Sequence, residues 1–77
     1  MQRVEPKNQY DGFSVVMART QKRVKAIALA TAIGIHPTTL SRMENGWLAI
    51  PDEVAQAIAA ELDIPVESLR TKDEGAA

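Results

Sequence analysis

The stretch from Leu29 to Gly46 reads L-A-T-A-I-G-I-H-P-T-T-L-S-R-M-E-N-G. Its first part is apolar and ends at Gly34, a residue that readily accepts the left-handed backbone conformation at which helices commonly end. Pro37 follows three residues later, and proline suits the first turn of a new helix. The stretch therefore predicts two helices, 25–33 and 37–45, joined by a three-residue turn, which is the helix-turn-helix arrangement.

The side chains of the second motif helix divide between two faces. Three apolar residues are spaced so that they bury against the first motif helix: Ile35, Leu40 and Met43. Three polar residues fall on the opposite, outward face: Thr38, Ser41 and Arg42. The pattern predicts a short helix that is packed on one side and open to solvent on the other.

The flanking segments predict three further helices, so the fold class is all-α. Asp11 is a suitable N-cap for a first helix over residues 13–22, whose buried face we take to be Phe13, Val16, Met17 and Thr20. A fourth helix begins at Pro51 and turns these residues towards the core: Val54, Ala55, Ile58, Ala59 and Leu62. A short fifth helix covers 66–70. We divide the chain into a flexible arm (1–9), a helical domain (10–70) and a flexible tail (71–77).

The charged residues are unevenly distributed along the chain. The formal net charge of the 77 residues is −1. Residues 1–45 nevertheless hold seven basic and three acidic residues, whereas residues 46–77 hold two basic and seven acidic ones. A basic half and an acidic half indicate that one surface faces a polyanion such as nucleic acid and another faces away from it.

Composition argues against several other classes of protein. The chain has no Cys, so it has neither a disulfide nor a thiol nucleophile, and its single His36 cannot supply the roughly four ligands of a zinc site. No nucleophile, base and acid stand out as a set, so we expect no enzyme, cofactor, metal or small-molecule ligand. No secretory signal or apolar run of roughly 18 residues is present. We therefore expect a cytoplasmic protein with no membrane contact.

The run from Leu29 to Gly46 resembles the lambda-repressor and Cro-like family, also called the XRE family. The resemblance is carried by Leu29-Ala30, Gly34, Ile35, Leu40, Met43 and the closing Glu44-Asn45-Gly46, and it extends over about residues 10–70. It implies a compact domain of five helices in a nucleoid-associated protein of bacterial, phage or mobile-element type. It also implies a break near Arg23–Val24, where periodicity alone allows one long helix from residue 13 to residue 33.

In that family the second helix of the motif enters the major groove of double-stranded DNA, where its early residues meet base edges. The resemblance thus implies base contacts from Pro37, Thr38, Ser41 and Arg42. Arg42 is the strongest candidate, because a guanidinium matches the two acceptor atoms of guanine. Phosphate contacts are expected from Lys22, Arg23, Lys25, Asn45 and Gly46.

The resemblance also implies a structural ion pair between Arg19 and Glu44, which would hold the second motif helix against the first helix of the domain. Three positions depart from the family. Ala26 stands where Gln is usual, and loop 47–50 (W-L-A-I) lacks the usual Lys or Arg. His36 stands where Ser or Thr commonly caps the helix, so we expect it to be a cap or a neighbour of a phosphate.

A chain of this length hides only about 60% of its unfolded surface and often gains stability by dimerising. The resemblance implies a homodimer with its two reading helices about 34 Å apart, one turn of DNA. Candidate interface residues are Trp47, Leu48, Ile64, Val66 and Leu69. Trp47 and Leu48 have an alternative, which is to fold back onto the core of their own chain.

We therefore predict a sequence-specific DNA-binding transcriptional regulator, a repressor that binds an inverted-repeat operator as a homodimer. The alternative is a protein-interaction module, such as an antitoxin or co-regulator, that has the same fold and binds DNA weakly or not at all. Ala26, the uncharged loop and the acidic second half favour this alternative.

Overall fold

The computed structural model describes residues 9–71. They form four α-helices and one turn of 3-10 helix: α1 (Gly12–Gln21), α2 (Ala26–Ile33), α3 (Pro37–Glu44), α4 (Asp52–Leu62) and the turn Val66–Leu69. The all-α class is confirmed, but the fifth helix of the sequence prediction is this single 3-10 turn. The arm and the tail lie outside the described residues, apart from Gln9 and Thr71. Over the described range no helix is both long and apolar enough to cross a membrane.

Local signals set both ends of α1. The carboxylate of Asp11 accepts a hydrogen bond from the Phe13 amide (3.4 Å) and another from the Ser14 hydroxyl (3.0 Å), as expected of an N-cap. The helix stops because Arg23 adopts a left-handed φ of 61°. The implied break at Arg23–Val24 is therefore present, and α1 and α2 are separate helices.

The core draws a buried apolar side chain from every helix. Its members are Tyr10, Val15, Leu29, Ala30, Leu40, Met43, Ile50, Ala55, Ile58, Ala59, Leu62 and Leu69. The predicted inward faces of α3 and α4 agree with this set, although Ile35 and Val54 are only half-buried at its edge. Residues far apart in the chain thus share one core, which holds the two motif helices between α1 and α4.

The predicted buried face of α1 is wrong. The helix buries Gly12 and Val15, while Phe13 is 63% exposed and Met17 is 46% exposed. The cause lies at Gly12, where an added Cβ would stand 2.2 Å from the carbonyl oxygen of Met43. Helix α1 approaches the backbone of α3 so closely only because Gly12 has no side chain. The face of α1 that contains Gly12 is therefore the buried one, and the large apolar side chains of α1 point outward.

We predict that Gly12→Ala destabilises the fold. Alanine favours a helix over glycine by about 0.5–1 kcal/mol, but overpacking against backbone that cannot move costs about 1–3 kcal/mol or more. The overlap should therefore outweigh the gain in propensity, and the free energy of unfolding measured in urea should fall. Thr20→Ala, at an exposed position of the same helix, is the comparison. A Gly12→Ala protein as stable as the parent would show that α1 and α3 are not in this close contact.

The two ends of the described chain are paired with each other. The amide of Thr71 donates to the carbonyl of Gln9 (2.9 Å), and the amide of Asp11 donates to that of Leu69 (2.8 Å). Tyr10, which lies between them, is buried, and its hydroxyl donates to the carboxylate of Asp52 in the first turn of α4. The guanidinium of Arg70 lies 5.6 Å from the centre of the tyrosine ring. This arrangement closes the domain by tying its first described residues to α4 and to the 3-10 turn.

The tyrosine contact predicts how stability depends on alkaline pH. The hydrogen bond to Asp52, together with burial, raises the pKa of Tyr10 above its ordinary value. Because the pKa is raised in the folded state, the hydrogen bond of Tyr10 contributes its full stability below about pH 10, the pKa of tyrosine in the unfolded chain. This contribution to stability is lost as the pH rises through the pKa of the folded state. Tyr10 is the only tyrosine, so the phenolate absorbance of the native protein reports its titration directly.

Unfolding in urea on both sides of about pH 10 should show a steeper alkaline loss of stability in the parent than in Tyr10→Phe. Lysine titration is common to both proteins and cancels in the difference. Equal pH dependence in the two proteins would contradict the contact.

Candidate nucleic-acid interface

The turn between α2 and α3 is built as the sequence suggests. Gly34 adopts a left-handed φ of 81°, and the Ile35 amide reaches back to the carbonyl of Ala30 (3.0 Å). Pro37 begins α3, and the Nδ1 atom of His36 accepts a hydrogen bond from the Thr38 amide at 3.1 Å. His36 is therefore the N-cap of α3.

The two faces of α3 have opposite surroundings. Leu40 and Met43 are buried in the core. The four residues expected to contact bases lie at the start and along the other side: Thr38, Ser41 and Arg42 are exposed, and Pro37 is half-buried. One surface of the helix thus presents two hydroxyl groups and a guanidinium to solvent.

The end of α3 continues this surface. The side-chain amide of Asn45 donates to the carbonyl of Ser41 (3.0 Å), and the amides of Trp47 and Leu48 both donate to the carbonyl of Arg42, at 2.9 and 3.3 Å. The loop that follows is thereby folded back onto the last turn of the helix. Asn45 and Gly46, two of the residues expected to contact phosphates, are exposed at this end.

Basic side chains surround the other entrance to the motif. Lys22 and Arg23 are exposed in the loop after α1, and Lys25 is exposed at the N-cap of α2. Residues 12–50 contain one acid, Glu44, against five basic residues. Within residues 9–71 the only cation that pairs with Glu44 is Arg19. The charges of Lys22, Arg23, Lys25 and Arg42 are therefore not neutralised by a partner in the described part of the chain.

Arg19 and Glu44 form a two-point contact between α1 and the end of α3. The Nε atom of Arg19 lies 2.7 Å from Oε2 of Glu44, and its Nη2 atom lies 3.1 Å from Oε1. A third donor, Nη1, reaches the carbonyl of Val24 at 3.2 Å. The side chains are 17% and 8% exposed, and the hydrogen bonds to Glu44 raise the pKa of Arg19 above its ordinary value. One guanidinium thus joins α1, the loop before α2 and the last residue of α3.

We predict that Glu44→Gln lowers the free energy of unfolding by about 3 kcal/mol, because it leaves the mostly buried guanidinium of Arg19 without its counter-charge. The double variant Arg19→Met/Glu44→Gln should be less destabilised than the sum of the two single variants, since it removes both charges. Urea titrations of the four proteins complete the cycle. Strictly additive losses would mean that the two charges do not stabilise each other.

The candidate dimer residues do not form one surface. Leu69 is fully buried in the core of its own chain, so the expectation that it lies at an interface is wrong. Ile64 and Val66 are half-buried and pack against the same core. Trp47, in contrast, is 81% exposed and Leu48 is 41% exposed, which excludes the alternative in which Trp47 folds back onto the core.

Several surface features were not predicted from the sequence. Trp47 and Leu48 line a shallow cleft together with Arg42 and Asn45, at the end of the candidate reading surface. A second groove lies between α1 and the 3-10 turn, and Phe13, Met17 and Ile64 are among its lining residues. The helical period gave no sign of this groove, because the same apolar side chains were expected to fill the core.

Comparison with protein families adds to this geometry. The helix-turn-helix family matches residues 17–69, which is most of the chain and spans α2, α3 and α4. The chain belongs to this helix-turn-helix family, and the lambda-repressor and Cro-like type expected from the sequence is confirmed. Among curated proteins, none matches the chain in sequence at a significant level.

Several solved structures share the fold. The clp gene regulator ClgR of Corynebacterium glutamicum superposes with a TM-score of 0.73 at 26% identity, with 82% of this chain and 83% of that one covered. In another ClgR structure the match spans 60% of that chain. The master regulator for biofilm formation SinR, solved in complex with DNA, gives a TM-score of 0.68 at 24% identity, with coverages of 74% and 95%. At that identity the likeness to SinR shows the fold alone.

A third similar structure is an enzyme, the hydroxypropylphosphonic acid epoxidase of S. wedmorenis. It gives a TM-score of 0.71 at 26% identity over 86% of this chain, but the match covers only 36% of the epoxidase. The likeness is therefore to one part of a larger protein, and it carries no activity over to this chain.

Proposed function

We propose that this chain is a transcription regulator that binds specific DNA sequences by placing α3 in the major groove. The observation that carries the proposal is the two-sided environment of α3. Its inward side chains are buried, its ends are held by His36, Asn45 and Glu44, and its polar face is open to solvent. A helix that is held rigidly and exposes an arginine beside two hydroxyls is suited to read base edges.

The charge around α3 supports the same proposal. Lys22, Arg23 and Lys25 are exposed in and after the loop that precedes α2, and Arg42 is exposed on α3 itself. Their charges attract the phosphate backbone and release counterions from it. The acidic residues fall mainly in α4 and beyond, which leaves the segment carrying the motif positive.

We further propose that the protein acts as a repressor by binding an inverted-repeat operator as a homodimer. An exposed helix as short as α3 meets only a few base pairs, so two copies related by a twofold axis are needed for a longer site. The groove that contains Phe13 and Met17 supports this idea, because it is partly apolar and no residue of α2 or α3 lines it. A second copy seated there leaves the polar face of α3 free, and occupancy of an operator suffices for repression.

The second candidate function, a protein-interaction module, is favoured by the same groove and by Ile27 on α2, which is 61% exposed. It differs from the first in what it predicts for DNA. A module of this kind binds every duplex equally weakly, whereas a regulator discriminates between sequences.

The proposal is tested by selecting duplexes from a randomised library and titrating them in mobility-shift assays at several salt concentrations. Arg42→Ala should weaken binding by about 1–3 kcal/mol and relax discrimination at one base pair per half-site. Lys25→Ala should weaken all duplexes about equally and reduce the slope of log affinity against log salt by about one. Sedimentation of the complex should give two chains per selected duplex.

Arg42→Lys is the matched control, since it keeps the charge but loses the planar fork that recognises guanine. It should recover part of the affinity lost in Arg42→Ala and less of the discrimination. A parent protein that binds selected and unselected duplexes alike would overturn the regulator proposal in favour of the interaction module. One chain per duplex would overturn the homodimer.

A further inference from the structure

Trp47 is the most exposed of the large apolar side chains in the described part of the chain, at 81%. It is also the only tryptophan in the protein. Leaving so large an apolar ring in water has a cost in free energy, and exposed aromatic side chains are enriched where a partner covers them. A partner that covers the ring would remove this cost.

The backbone of Trp47 is fixed although its side chain is open. The Trp47 amide donates to the carbonyl of Arg42 at 2.9 Å, and the Leu48 amide donates to the same oxygen at 3.3 Å. Two residues further on, Ile50 is buried in the core. The loop is thus pinned at both ends, and the indole is held beside the last turn of α3.

The neighbours of the ring identify the partner. Trp47 and Leu48 line one cleft with Arg42 and Asn45, which are a base-contact and a phosphate-contact residue under the proposed function. A protein seated in this cleft would cover Arg42 and exclude DNA from α3. A DNA strand seated in it would contact all four residues together. The cation and the amide favour a polyanion, and the deoxyribose of DNA offers an apolar surface to the ring.

We propose that Trp47 is a DNA-contacting residue, which packs its indole ring against the sugar of the DNA strand at the edge of the major groove, with Leu48 extending the apolar contact. The inference rests on the proposed function, because it assumes that α3 lies in that groove. A contact with the sugar tolerates any sequence, since every nucleotide of DNA carries the same deoxyribose. Trp47 therefore adds affinity at the site that Arg42 reads, without adding specificity.

The contact also differs from a phosphate contact in its response to salt. A lysine that neutralises a phosphate releases a counterion, so its contribution falls as salt rises. An indole that covers a sugar releases none. Loop 47–50 has no charged residue, and Trp47 accordingly strengthens binding in a way that persists at high salt.

The first experiment uses the fluorescence of the single tryptophan. Duplex selected from the randomised library is added to the parent protein, and both the emission and its quenching by acrylamide are followed while a mobility shift measures complex formation. We expect the emission to change, and access of acrylamide to fall several-fold, in step with the fraction of protein bound. The free protein should show high access at every protein concentration, because the indole is exposed in the uncomplexed chain.

The second experiment compares variants at position 47. Trp47→Ala should weaken binding about tenfold for every duplex, with the salt slope unchanged. Trp47→Phe should recover most of the loss, whereas Trp47→Lys should recover it only at low salt and steepen the slope by about one. Ile27→Ala is the matched control, since it removes another exposed large apolar side chain, which lies on α2 outside both the cleft and the groove of the proposed second copy. Thermal melts check that each variant is folded.

The outcomes separate this inference from the proposed function. Complex formation without any change in emission or quenching, or a Trp47→Ala protein that binds like the parent, overturns the contact and leaves the regulator proposal intact. Emission that depends on protein concentration without DNA places the ring between two copies and also overturns it. Failure of every duplex to shift the parent protein overturns both proposals.

Discussion

The contact between Arg19 and Glu44 is the constraint on which the candidate reading surface depends. Helix α3 has eight residues, a length of about 12 Å, and so short a helix has little stability of its own in water. Its position must come from its neighbours. The guanidinium of Arg19 donates to both oxygens of Glu44 and to the carbonyl of Val24, so each nitrogen of the guanidinium and each oxygen of the carboxylate has a hydrogen-bond partner. A mostly buried ion pair stabilises a structure only under that condition.

Other contacts also hold α3 in place. The imidazole of His36 holds the first turn, the side-chain amide of Asn45 holds the last, and the loop after it folds back onto the carbonyl of Arg42. At the opposite side, Gly12 lets α1 approach the backbone of Met43 directly. The polar face of α3 is thus presented on a rigid support, so little ordering is required when a ligand binds it.

A net charge of −1 conceals an uneven distribution of charge along the chain. The segment with the motif is basic, and its one acid, Glu44, is occupied by Arg19. The apolar residues outside the core likewise fall in two places: Phe13 and Met17 line the groove beside the 3-10 turn, and Trp47 and Leu48 stand beside Arg42. Under the two proposals, the first place receives a second copy of the chain and the second receives the edge of a DNA strand. Association and recognition would then use separate surfaces.

The sequence by itself determined the features that depend on a few neighbouring residues. Asp11 marked the start of α1, Gly34 and Pro37 marked the turn of the motif, and the spacing of Leu40 and Met43 marked the inward face of α3. Only the tertiary structure decided which face of α1 is buried, that Tyr10 bonds to Asp52, that Leu69 belongs to the core and that Trp47 stays in solvent. The physical reason is the distance along the chain between the residues that stabilise each feature. A cap or a turn is stabilised by hydrogen bonds within a few residues, whereas the choice between two apolar faces depends on what another helix, far away in the chain, presents to each of them.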